Sequence, residues 1–296
     1  MVNAPPLLQT PKPLPGLLFN RQLLKMRRNR AAASFSDHAF LKERVAHDLN
    51  SRLKLIHRTF QCCVDLGGHT GHLGALLKRI PLITTDLSEA MVAQASTPLK
   101  VVLDEENLPF APNSLDLIIS ALSLHWVNDF PGLLAQSFQC LKEDGLFLAA
   151  LFGGETLIEL RDCLSSTELE LRGGVAPRLS PMVSIKEAGA LLQRIGFALP
   201  VVDCDRLQVT YPHPLALLHD LRRMGETNAL INRSPVPLSR AILARTFELY
   251  QERYGLPDGR IPASFDVITL TGWKPHPSQQ TPLPRGSAQS RLKDYI

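Results

Sequence analysis

Three carboxylates punctuate the first half of this chain: Asp65, Asp86 and Asp104, the last followed directly by Glu105. Each closes a short apolar run. The first also opens the segment Val64-Asp65-Leu66-Gly67-Gly68-His69-Thr70-Gly71-His72-Leu73-Gly74. Glycines at a strand-to-helix turn let the backbone approach a ligand that a Cβ would hold off. An acid beside that turn accepts hydrogen bonds from a cationic or amino group. Asp86 follows Asp65 by 21 residues, the interval at which a second acid reaches the two hydroxyls of a ribose. Asp104 is placed to accept an adenine amino group, with Leu87 and Leu108 as apolar walls. Met91, on the helix opened by Ser88, and Ser120, in the fourth apolar run, complete this candidate nucleoside set.

Several readings of the glycine turn compete. A phosphate loop needs Gly-Lys-Ser/Thr, which is absent. A dinucleotide fingerprint starting at Gly67 needs glycine at 69 and 72, and both are histidine. An S-adenosylmethionine (SAM) loop, an acid followed by spaced glycines, fits Asp65, Gly67, Gly68 and Gly71, with His69 in place of the usual middle glycine. A plain structural turn stands beside these, and Asp86 or Ser88 would then only cap the next helix. One acid at each of three successive strand ends favours SAM.

A second constellation is Leu124-His125-Trp126-Val127-Asn128-Asp129. His125 at a strand's carboxyl end suits a general base or hydrogen-bond donor. The competing reading is that His125 and Trp126 only pack beneath later segments. Trp126, Asn128, Asn232 and Arg233 are the candidate substrate contacts. No His-x-Asp/Glu pair is present, so no metal ligands are assigned.

The elements that must carry these residues alternate. Strands are expected at 62–66, 82–86, 99–103, 115–121 and 145–151, with helices at 70–79, 88–95, 130–141 and 155–171. This is the pattern of a parallel sheet with helices on both faces. A helix at 184–194 leads through Gly196 to a strand at 200–210, and another strand is expected at 264–273. The interval 213–262 reads as a helical insertion over the sheet's edge or mouth, before the last strand. Ahead of the sheet, residues 19–59 read as a basic helical region, and 60–273 as the main domain. Residues 1–18 hold five prolines and, with the tail 274–296, read as mobile.

Of the 296 residues, 45% are hydrophobic and 20% charged, a composition that excludes collagen-like, coiled-coil and wholly disordered chains. No apolar run reaches ~18 residues, so no transmembrane helix is expected. The five cysteines form no CxxC, which fits a reducing compartment. The net charge of +4 conceals a division. Residues 1–60 carry 11 Lys/Arg against 3 Asp/Glu, whereas 61–273 carry 17 against 24. A basic end on an acidic body argues against nucleic-acid binding. Arg21, Lys25, Arg27, Arg28 and Arg30 read as a transit peptide, a solvated helix, or an arm that docks on an acidic partner or anionic membrane surface.

From 60 to 273 the chain resembles class I SAM-dependent methyltransferases. The resemblance implies an α/β, Rossmann-like fold with a seven-stranded, mostly parallel sheet whose last strand is antiparallel. It also implies that Asp65 and Gly67 lie at the methionine end, Asp86 at the ribose, and Asp104 with Glu105 at the adenine. Leu124–Asp129 resembles two groups: the malonyl-carrier-protein O-methyltransferases of biotin synthesis and the assembly factors of respiratory complex I, associated with arginine hydroxylation on the iron–sulfur subunit near the quinone site. Phe152-Gly153-Gly154-Glu155-Thr156-Leu157, Met224-Gly225-Glu226-Thr227-Asn228, Asn232-Arg233, Gly272-Trp273-Lys274, Phe19-Asn20-Arg21 and Pro284–Ala288 resemble the second group. The expected function is therefore modification of a protein arginine by a SAM-binding enzyme, in a bacterial cytoplasm at the membrane periphery or in a mitochondrial matrix. The alternatives are O-methylation of a malonyl thioester carrier or small carboxylate, and a non-enzymatic assembly chaperone with a vestigial SAM site.

Overall fold

Seven apolar runs form strands: β1 (Cys63–Asp65), β2 (Leu82–Asp86), β3 (Leu99–Val102), β4 (Leu115–Ala121), β5 (Leu141–Phe152), β6 (Ala198–Tyr211) and β7 (Ile261–Trp273). They hydrogen-bond in the order β3-β2-β1-β4-β5-β7-β6. The first five are mutually parallel, and β7 runs antiparallel to both β5 and β6. The computed structural model describes residues 16–280, 286 and 287. The expectation of mobile ends at 1–15, 281–285 and 288–296 lies outside those residues.

Side chains alternate across a strand, and β4 shows the consequence. Leu117 and Ile119 enter one apolar layer and Ile118 the other, all fully buried. Both faces of the sheet are covered, as a parallel sheet requires. The exceptions are the two edge strands: β3, whose four residues are exposed, and β6, which is buried only at Tyr211.

Nine helices complete the described residues: α1 (Arg21–Ala31), α2 (Phe40–Lys54), α3 (His72–Leu76), α4 (Glu89–Gln94), α5 (Phe130–Cys140), α6 (Ile158–Arg172), α7 (Ile185–Ile195), α8 (Pro214–Arg223) and α9 (Arg240–Tyr254). Leu133 and Leu134 of α5, with Ala188 and Leu192 of α7, cover one face. Leu160 of α6, Leu217 of α8 and Tyr250 of α9 cover the other. The insertion thus lies in the face layer rather than over the edge. Only its inter-helix loop, 224–239, reaches the carboxyl edge.

One expected boundary is corrected. Leu41, Val45, Leu49 and Leu53 of α2 sit in the same buried cluster as Leu117 and Leu148 of the sheet, so residue 60 does not divide two cores. The helical spacing of those leucines required an apolar partner, and the sheet supplies it. Leu49 has no exposed surface. Leu49→Ala is therefore expected to cost ~2–5 kcal/mol in a single urea transition. A separate early transition would instead mark residues 19–59 as an independent unit.

Candidate functional site

Parallel strands bring their carboxyl ends to one edge. Asp65 ends β1, Asp86 ends β2, and Asp104 and Glu105 follow β3. The turn after β1 begins at Gly67, whose φ is +66° and whose hypothetical Cβ would lie 2.0 Å from the Ser123 hydroxyl. No other residue fits there without moving the strand ends together with it. His69 takes the third turn position at φ 50°, outside the range L-residues prefer. It is held there by three contacts. Its backbone N–H donates to Asp86 at 3.1 Å, its Nδ1 lies 2.6 Å from Lys42 Nζ, and its ring stacks on Phe35 at 5.1 Å.

The basic arm does not leave the protein: it fills this edge. Asn20 caps α1 by accepting from the Leu23 N–H. Asn128 Oδ1 accepts the Leu18 and Phe19 N–H groups at 2.8 and 2.6 Å, and Phe19 packs edge-on against Trp126. So anchored, α1 lies across the acids. Arg21 and Arg28, seven residues apart, share one helix face. Arg28 is 1% exposed; its Nη1 lies 3.3 Å from both Asp86 and Glu105, and its Nη2 donates to Ser123 Oγ at 3.0 Å. Arg21 pairs with Asp104 at 2.7 Å and with Glu105. Lys42, on α2, donates to the carbonyls of Gly67 and Ala121 at 2.7 and 2.8 Å.

The electrostatics follow from this burial. Burial alone would raise the Glu105 carboxyl, but Arg21 and Arg28 outweigh it and hold it below its ordinary value. Burial would likewise lower the Arg28 guanidinium, and Asp86 and Glu105 outweigh it and raise it. Burial, with Lys42 and Arg28 beside it, pushes His69 well below 6.5, so its ring is neutral. Asp65 differs from its neighbours. Both of its carboxylate oxygens are buried without a hydrogen-bond partner, and burial raises this carboxyl despite Lys42.

The other expected nucleoside contacts divide. Gly67, Gly68 and Gly71 form the turn around Asp65, and Asp86 also accepts the Ser88 N–H at 2.8 Å. Leu87 and Met91 border the same edge but are covered by the arm, Leu87 beneath Phe19 and Leu24, Met91 beneath Ala31 and Phe35. Leu108 packs with the α5 layer instead, and the Ser120 hydroxyl is spent on the Leu66 carbonyl at 2.6 Å. These two residues serve the sheet rather than its mouth.

Beside the nucleoside edge, His125 Nε2 lies 3.0 Å from Glu226, and Trp126 Nε1 donates to the same oxygen at 2.7 Å. Burial would raise Glu226, but His125 and these bonds hold it below its ordinary value. His125 Nδ1, on the ring edge opposite the Nε2 that faces Glu226, is buried without a partner, and in the neutral ring that donates Nε2–H to Glu226 it is the acceptor nitrogen. Trp126, Glu226 and Arg233 line a cavity of about 370 Å³. Asn232 is exposed and does not line it, and Asn128 is committed to anchoring Phe19 and to Glu106.

Sequence reasoning missed Arg21, Arg28, Lys42 and Ser123 as parts of the site, whereas Glu226 lies in the Met224–Asn228 segment that the sequence offered as a lid or substrate contact. The split of charge between the end and the body was the available signal, since the acidic partner expected for the arm is the chain's own edge.

Comparison with known proteins agrees with this architecture. A family described as "Methyltransferase domain" matches residues 64–149. The YcgJ protein from Bacillus subtilis superposes with a TM-score of 0.55 over 78% of this chain and 99% of its own, at 18% identity, which speaks to the fold alone. The malonyl-[acyl-carrier protein] O-methyltransferase of Xylella fastidiosa (strain M23) is 33% identical over 87% of this chain and 89% of its own length. The mitochondrial arginine-hydroxylase NDUFAF5 of Danio rerio is 39% identical over 94% of this chain and 89% of its own. At 39% identity over 94% of its length, the chain belongs to the NDUFAF5 arginine-hydroxylase family, with the methyltransferase fold.

Proposed function

We propose that this chain is a SAM-binding enzyme that modifies a protein arginine during respiratory complex I assembly. The observation that carries it is Asp65, a buried, unpaired carboxylate at the head of a glycine turn whose neighbouring acids all hold cations. An edge that satisfies itself with an ammonium and two guanidiniums is chemically suited to a cationic nucleoside. Asp86 would hold the ribose hydroxyls, Asp104 and Glu105 the adenine amine, and Asp65 the amino-acid ammonium. When bound, SAM supplies a methyl group activated by a sulfonium. The arginine reading is supported by the 39% identity to a relative named for arginine hydroxylation. Hydroxylation also requires an oxidant as co-reactant.

The chain's own residues then have definite tasks. Arg21 and Arg28 occupy the carboxylates that the nucleoside needs, so ligand entry and withdrawal of the α1 arm are one step. His125 Nδ1 is the base available beside the edge, and Glu226 fixes the ring through Nε2. His125→Gln is expected to slow turnover by roughly 10²–10⁴-fold with little change in SAM affinity. Equal rates for the two proteins would remove His125 from the chemistry.

The proposed compartment is the reducing side of a respiratory membrane: cytoplasm in a bacterium, matrix in a mitochondrion. All five cysteines are free, and no helix among the described residues is long and apolar enough to cross a membrane. The deciding experiment is the mass of the quinone-site iron–sulfur subunit in cells with and without the gene. An arginine heavier by one oxygen only when the gene is present is expected; an unchanged arginine mass overturns the reading.

A further inference from the structure

The cavity beside His125 has a charge pattern that neither a sulfonium nucleoside nor a guanidinium substrate explains. Its walls are mainly apolar, with Phe152, Leu160, Leu164, Met182, Leu221 and Phe265 among them. Four arginines line it: Arg27, Arg161, Arg178 and Arg233. Arg178 is matched by the buried Glu168 at 2.8 Å. The other three have no carboxylate partner among the described residues. Arg27 donates to the carbonyls of Thr227 and Asn228, Arg161 to that of Gly154 at 3.1 Å, and Arg233 to that of Leu230 at 3.1 Å.

All three are half-buried, and Arg27 and Arg233 are close enough to repel. Burial, then Arg233, pulls the Arg27 guanidinium below its ordinary range. The cavity's one acid, Glu226, is engaged by His125 and Trp126. Half-buried cations lining one cavity without a counter-charge are costly, and an anion bound among them would offset that cost.

We propose that this cavity binds a carboxylate bearing an apolar chain, its head group at the Arg27–Arg233 side and its chain among the apolar residues. Arginine recognises a carboxylate through two parallel N–H donors. A volume of about 370 Å³ is within the ordinary range for small-molecule sites. This inference is independent of the arginine-modification reading, which says nothing about an anion at Arg233.

The test is calorimetric titration of the full chain, without SAM, using octanoate, octylamine and octanol as probes. Saturable binding of octanoate is expected, with octylamine excluded and octanol much weaker. Arg233→Gln and, separately, Arg27→Gln should each weaken octanoate roughly tenfold, the ratio for one lost charge-assisted bond, and Arg233→Lys should recover part of the loss. Thermal melts of each variant report folding, and the two substitutions lie on different segments, so one unfolded variant leaves the other to decide. Absence of saturable octanoate binding, octylamine binding as tight as octanoate, or unchanged affinity in the folded variants would overturn the proposal.

Discussion

Arg28→Ala is expected to destabilise the fold by ~3–5 kcal/mol, the cost of leaving buried carboxylates without their cation, and to make SAM a stronger stabiliser of what remains. The guanidinium is 1% exposed and touches Asp86, Glu105 and Ser123, so its loss leaves buried Asp86 without its guanidinium and Glu105 with Arg21 alone. The same loss frees acceptors that a nucleoside requires. A ligand that binds only the arm-released state has its apparent affinity reduced by the fraction of molecules in that state. The shift in Tm at a fixed SAM concentration should therefore be larger in the variant than in the parent. An equal or smaller shift would show that the arm and SAM do not compete.

The pH dependence of that difference has a definite sign. Glu105 is held below its ordinary value of 4.5 in the folded protein. Its contribution is present above that value and is lost as pH falls through the depressed folded pKa. In Arg28→Ala that carboxyl keeps Arg21 but loses its second cation, so its folded pKa rises from the parent's and it takes up a proton at a higher pH than in the parent. The stability gap between parent and variant should shrink on acidification below about 4.5, and denaturant titrations at several pH values measure it. A gap that widens toward acid would refute the assigned pairing.

Asp86→Ala should also lower stability, but with the opposite effect on the ligand. Asp86 accepts the N–H groups of His69 and Ser88 at 3.1 and 2.8 Å as well as the guanidinium. Arg28 keeps Glu105 and Ser123, so the cost should lie at or below the lower end of ~3–5 kcal/mol. SAM affinity should fall by ~1.5–3 kcal/mol, the range for a hydrogen bond to a charged group, or roughly ten- to hundredfold. A purely structural role would make Arg28→Ala and Asp86→Ala alike in their response to SAM. Calorimetry on both variants separates the cases, and unchanged affinity in Asp86→Ala would remove Asp86 from the ribose.

What the sequence by itself determined is the frame: the seven strands, the parallel order implied by alternating helices, and the three acids at adjoining strand ends. These follow from local rules. Burial on both faces demands apolar runs such as Leu117–Ile119 within β4, a ligand-approaching turn demands glycine at 67, and each helix needs an apolar stripe. The His125 segment was legible for the same reason, as polar residues directly after a buried strand. The occupants of the acids were decided only in three dimensions. Arg28 is 58 residues from Asp86 and 77 from Glu105, and charge is attracted through space without regard to separation along the chain. A count of cations at one end and acids in the body implied attraction, but not which partner answered it. Folding decided that, because Asn128 and the Phe19–Trp126 contact bring α1 over the edge, where the nearest counter-charges are the ligand site's own carboxylates. Part of the basic excess of residues 1–60 is thereby paired within the chain, and the net +4 is what remains after such pairing.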